Sequence, residues 1–251
     1  MTGSTSLFMT LLILSLKRET NSGWEPSPST VCFLRKNHYN EYESEDSMGL
    51  LRQVFGPSKE EIWLQLSHEI GADYEEGGFF KDGKVILSHR QWEIILDTYA
   101  VHTEKSAVIY TRMRAPYVNR DGFRFNIYRK NIFSGIGKLF GMEDIEVGDS
   151  FFDDEFIIQG KPEHLVKSLL NNGMVRRLIQ SQPDIHFQVK DDDGWFKSSF
   201  PEGVDELYFE VVGVIKDKER LRNLFDLFSL VLDELCRSGS AYEGMPEVTL
   251  E

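Results

Sequence analysis

The chain has 251 residues, of which 41% are hydrophobic and 12% aromatic, so it can bury a substantial core without covalent cross-links. Its 41 acidic and 28 basic residues give a net charge of -13, which repels phosphate backbones and disfavours nucleic acid as a partner. Cys32 and Cys236 lie far apart and show no metal-ligand spacing, which argues against a disulfide framework and predicts a reducing, cytoplasmic location.

Residues 1–47 differ in composition from the rest of the chain. The apolar run at residues 7–16 is too short to cross a hydrocarbon core of about 30 Å, so no transmembrane helix is predicted. The polar sequence that follows contains Pro26, Pro28 and many serines, which is typical of disorder. We therefore predict a disordered leader, or untranslated upstream sequence, over residues 1–47, a single domain over residues 48–239 and a loose tail over residues 240–251.

The first predicted helix has clear boundary signals. Ser58 and Glu61 have the spacing of a capping box at its start, and Gly71 can end it. Between residues 79 and 130 the hydrophobic period changes to two, which predicts four strands rich in β-branched and aromatic residues. These strands are expected to form an antiparallel meander.

The second half of the chain alternates between strands and helices. A strand over residues 155–160 precedes a helical region that begins at Pro162 and breaks or bends at Gly173. Two strands, IHFQVKD and ELYFEVVGVI, are followed by a long amphipathic helix from Asp217 to Gly239. The order helix, four or five strands, helix, two strands, helix predicts an α+β fold, with helices packed on one face of a mainly antiparallel sheet.

The segment at residues 141–160 is unusually acidic. It contains no Lys or Arg. Its seven carboxylates belong to Glu143, Asp144, Glu146, Asp149, Asp153, Asp154 and Glu155. One interpretation is a divalent-metal site of a hydrolase, because oxygen ligands suit Mg²⁺, Mn²⁺ or Ca²⁺. The candidate metal ligands are Asp149, Asp153, Asp154 and Glu155. A carboxylate pair for acid/base chemistry is a second interpretation.

A basic segment lies just upstream. Residues 105–130 contain seven Lys or Arg residues and one acid, Asp121. If its two strands pair through the turn PYVNRDG, Tyr110, Arg112, Arg114, Arg124 and Tyr128 form a cationic surface with two tyrosines. This Arg/Tyr face either pairs with the acidic segment or binds an anion, because guanidinium groups recognise phosphate and carboxylate.

Other catalytic motifs are incomplete, because a required residue is replaced by one of another type. The sequence GFFKDGKV at residues 78–85 has the spacing of a phosphate-binding loop, but Val85 stands where Ser or Thr is needed. His68 and Glu69 begin a zinc-protease motif in which Ala72 replaces the second histidine. No nucleophile elbow is present.

The run FDDEFIIQGKPEHLVKSLLNNGMVRRLI, with FSGIGKLFG before it and ELYFEVVGVI after it, resembles a group of uncharacterised bacterial domains. The resemblance covers roughly residues 120–216 and depends on hydrophobic pattern. It implies no activity and no site residue, because the group has no established function.

We therefore expect a binding or interaction domain rather than an enzyme. The expected contact surface is the Arg/Tyr face, and the expected partner is a protein or a small anionic ligand. The alternatives are a metal-dependent hydrolase that uses residues 143–155 and a carrier of an apolar ligand. No cofactor is predicted, apart from the divalent metal of the hydrolase alternative.

Overall fold

The computed structural model describes residues 56–78, 82–103, 106–130, 144–191 and 200–242, with Gly244 and Pro246. Every element reported below lies in one compact unit, Ser58–Glu251. The predicted leader, residues 1–47, lies outside the described residues. The helices are α1 (Lys59–Ile70), α2 (Ser150–Glu155), α3 (Glu163–Asn171), α4 (Gly173–Gln180) and α5 (Lys218–Ser238).

Nine strands form one antiparallel sheet. Eight of them lie in the order β1-β2-β3-β4-β8-β7-β5-β6, and β9 pairs with the far end of β4. The strands are β1 (Asp73–Glu75), β2 (Lys84–His89), β3 (Trp92–His102), β4 (Ala107–Asn119), β5 (Arg124–Arg129), β6 (Phe156–Lys161), β7 (His186–Lys190), β8 (Val204–Val212) and β9 (Ala241–Tyr242). The predicted α+β class is confirmed.

The order of elements differs from the prediction at β1, at β9 and in the acidic segment. The acidic segment contains the short helix α2, which was not predicted. The predicted break near Gly173 is confirmed, because the helical region after Pro162 consists of two helices. Asn172 separates these two helices because it leaves the helical conformation and its side chain accepts a hydrogen bond from the Met174 amide. The predicted loose tail also begins too early, since Ser240 and Ala241 are buried and β9 belongs to the sheet.

Helix boundaries follow the local signals. The Ser58 side chain accepts from the Glu61 amide while the Glu61 carboxylate accepts from the Ser58 amide, so the capping box of α1 is complete. Asp217 caps α5 with its side chain, which accepts a hydrogen bond from the Arg220 amide. Gly239 ends α5 with a φ of 84°, a conformation that residues with a Cβ rarely adopt.

One face of the sheet is apolar because alternate side chains of each strand point to the same side. Cross-strand register aligns these side chains in a continuous row across eight strands, and the row packs into the same core as the buried sides of α1, α3, α4 and α5. Phe187 of β7, for example, lies 5.4 Å from Phe228 of α5 between ring centres. The row is Tyr74, Val85, Leu96, Met113, Phe209, Phe187, Ile127 and Ile158.

The predicted hairpin between the two basic strands is wrong. β4 pairs with β3 and β8, and β5 pairs with β6 and β7, so two strands lie between β4 and β5. The turn is held by Asn119, whose side-chain oxygen accepts from the amides of Gly122 and Phe123. β8 lies beside β4 instead. Nine residues of β8 pair with β4, and the alternate residues Leu207, Phe209 and Val211 of β8 are buried in the core, which stabilises this strand order.

Candidate binding surface on the polar face of the sheet

The face of the sheet opposite the helices carries polar and charged side chains. We call this surface the polar face. Alternation along β3, β4, β5, β7 and β8 places on one side the residues that do not enter the apolar row. The polar and charged members of this face are Glu93, Asp97, Tyr99, Tyr110, Arg112, Arg114, Arg124, Asn126, Tyr128, His186, Gln188, Lys190, Glu206, Tyr208 and Glu210.

Two arginines of β4 share one carboxylate of β3. Arg112 donates two hydrogen bonds to Asp97, of 2.8 and 2.7 Å, and Arg114 donates a third, of 3.0 Å. Arg114 is 2% exposed, and its Nε lies 3.9 Å from the fully buried carboxylate of Glu206. Burial would lower the pKa of Arg112, but the contact with Asp97 outweighs it and raises that pKa, so this guanidinium is fixed and charged.

Glu210 is the centre of a second network. Its Oε2 accepts hydrogen bonds from the hydroxyls of Tyr99, at 2.6 Å, and Tyr208, at 2.8 Å. Its Oε1 lies 3.5 Å from Nδ1 of His186, and Lys190 stands over the Tyr208 ring. Burial would raise the pKa of Glu210, but these donors and cations lower it to about 2. Burial, together with the contacts to Glu210, raises the pKa of Tyr99 and of Tyr208.

The polar face becomes exposed at one end of the sheet. Tyr99 and Tyr110 are cross-strand partners whose rings stack at 5.1 Å, and the Arg112 guanidinium lies 4.8 Å from the Tyr99 ring. Val212, 69% exposed, is the partner of Tyr110 on β8, and Val101, 42% exposed, is two residues beyond Tyr99. We call these five side chains the tyrosine end. It combines stacked aromatic rings and a fixed arginine with exposed apolar surface.

The structure separates the residues of the predicted Arg/Tyr face. Tyr110 and Arg112 lie at the tyrosine end, whereas Arg114 and Tyr128 lie on the same face but are buried. Arg124, at the start of β5, pairs with Asp191 at 3.0 Å and with Asp205 at 3.1 Å. The arginines of the predicted surface therefore have carboxylate partners within the sheet.

Sequence reasoning missed the acidic and aromatic members of this face. Asp97 and Tyr99 come from β3, and Glu206, Tyr208 and Glu210 come from β8. The sequence ELYFEVV contained a usable signal, because two glutamates and a tyrosine alternate with core residues in a strand. The sequence did not show that β8 lies directly beside β4.

The acidic segment mostly makes local contacts. Asp149 caps α2 and lies 3.2 Å from Arg176, while Asp153 accepts from two backbone amides at 2.9 Å. Glu155 pairs with Arg129 at 2.8 Å, so the predicted pairing with the basic segment is found at this contact but not at Arg112.

The metal interpretation gains no support from this geometry. Asp154 is exposed, and Glu143 lies outside the described residues. Across the described ranges, no three His, Cys, Asp or Glu side chains are arranged to hold a metal ion. The candidate metal ligands Asp149, Asp153, Asp154 and Glu155 stay a prediction.

No protein-family model, curated protein or solved structure matches this chain. The resemblance to uncharacterised bacterial domains therefore stays a prediction, as does the cytoplasmic location. Among the helices that the structure describes, none has the length and apolar character needed to cross a membrane.

Proposed function

We propose that this protein is a non-catalytic binding domain that contacts a protein partner through the tyrosine end of its polar face. The proposal depends mainly on one observation: the stack of Tyr99 on Tyr110 with Arg112 fixed beside it by Asp97. Tyrosine and arginine dominate the binding energy of protein interfaces, and side chains that are already fixed lose little entropy on binding.

The contact is a protein surface rather than a small anion. The side of the Arg112 guanidinium that carries Nε and Nη2 binds both carboxylate oxygens of Asp97, so an anion that used this fork would have to displace a partner already in place. Val212 and Val101 add apolar area, which a protein covers and a small anion does not.

A capture experiment with matched variants tests the proposal. The full chain, Tyr110→Ala and Leu64→Ala are immobilised, and bound proteins are quantified from an extract of the source cells. Leu64 is the control because it is 40% exposed but belongs to α1, on the helical side of the sheet. We expect Tyr110→Ala to reduce capture of a specific protein by on the order of tenfold, while Leu64→Ala retains it.

Two results would count against the proposal. A specific partner that binds Tyr110→Ala as well as the unmodified chain would place the contact elsewhere. A rise in melting temperature with phosphate at constant ionic strength, abolished by Arg112→Leu, would indicate an anion site instead.

A further inference from the structure

The tyrosine end lies on a locally neutral surface. Along β3, β4, β5, β7 and β8 the charges of the polar face balance. The four carboxylates are on Glu93, Asp97, Glu206 and Glu210, and the four permanent cations are on Arg112, Arg114, Arg124 and Lys190. The chain as a whole has a net charge of -13, so the excess negative charge lies outside this group. Two copies of the chain repel each other electrostatically in most relative orientations. When they approach through their polar faces, the local charges balance and this repulsion is smallest.

The geometry of the tyrosine end also suits a copy of itself. Tyr99, Tyr110 and Val212 form a row across three adjacent strands, because each is the cross-strand partner of the next. In a twofold arrangement, the valine end of one row meets the tyrosine end of the other, so aromatic rings cover exposed aliphatic groups on both sides. Neighbouring Val101 extends the same apolar surface.

We infer that the partner at the tyrosine end is a second copy of this chain, and that the protein forms a twofold-symmetric dimer. This inference rests on the proposed function and names the partner. Stable interfaces bury about 800 Å² on each partner, which is more than five side chains supply, so the dimer is expected to dissociate on dilution.

Sedimentation equilibrium of the full chain tests the inference. One chain has a mass of 29.0 kDa, and we expect the average mass to approach twice that value as the concentration rises from micromolar to sub-millimolar. Added salt should favour the dimer, because it screens the repulsion between the two acidic chains. We expect Val212→Asp to stay monomeric throughout, since the carboxylate would be buried in the interface.

A matched control keeps the result specific. Leu64→Asp adds the same charge at an exposed position on the helical side and should dimerise like the unmodified chain. A chain that stays at 29.0 kDa at every concentration, or dimerisation unaffected by Val212→Asp, overturns the inference. If the chain is monomeric but Tyr110→Ala still loses a captured protein, self-association fails and the proposed function stands. If capture is also unchanged, both fail.

Discussion

Replacement of Glu210 by Gln keeps the shape of the side chain and removes its charge. The contacts to His186, Tyr99 and Tyr208 lower the pKa of Glu210 from 4.5 to about 2, although burial alone would raise it. Each pKa unit corresponds to about 1.4 kcal/mol, so the ionised carboxylate stabilises the folded protein by about 3 kcal/mol at neutral pH. Because the folded-state pKa is the lower one, this stabilisation is complete above about pH 5 and is lost as the pH falls towards 2.

Urea unfolding of the unmodified chain and of Glu210→Gln between pH 7 and pH 3 measures this contribution. We expect a difference in unfolding free energy of about 3 kcal/mol at pH 7 that shrinks steadily below pH 5. Glu93→Gln is the control, because Glu93 is an exposed carboxylate on β3 and should give a small difference at every pH. A difference for Glu210→Gln that does not change with pH would show that the carboxylate charge is not what holds the network together.

Three further substitutions test separate contacts by urea unfolding. Asp97→Asn removes the charged partner of the Arg112 side chain, which is only 12% exposed, and we expect the unfolding free energy to fall by about 3 kcal/mol. An almost unchanged unfolding free energy would show that water can replace this ion pair. Gly160→Ala would place a Cβ 2.5 Å from a backbone oxygen and should cost about 1–3 kcal/mol, whereas Gly78→Ala meets open space and should be tolerated. Ser58→Ala removes the cap of α1 and should cost about 1 kcal/mol; an unchanged stability would mean that water replaces the cap.

The structure also changes which substitutions can test binding. Charge reversal at Arg112 and Arg114 is the obvious choice from the sequence, because both precede a basic turn in an apparently cationic strand. Arg114 is 2% exposed and both arginines bind Asp97, so reversing their charge would unfold the protein before it tested a contact. Val212 is exposed and Tyr110 is only half-buried, so substitutions at these two residues can separate binding from folding.

The candidate site was only partly predictable. Placing Tyr110, Arg112 and Arg114 on one side of a strand required only the period of two. Their partners Asp97 and Glu206 are 15 or more residues away, and nothing local specifies which strands lie beside β4. Because opposite charges were not visible on adjacent strands, the sequence suggested a cationic anion site where the folded protein has paired charges.

The sequence by itself determined the features that depend on neighbouring residues. The capping box at Ser58, the stops at Gly71 and Gly239 and the α+β class follow from local hydrogen bonding, backbone freedom and hydrophobic period. Only the tertiary structure decided that β8 and β7 lie between β4 and β5, since strand order depends on which distant apolar faces pack best together. That order brings Glu210 to Tyr99 and Arg112 to Asp97, and so makes the polar face a neutral, fixed surface.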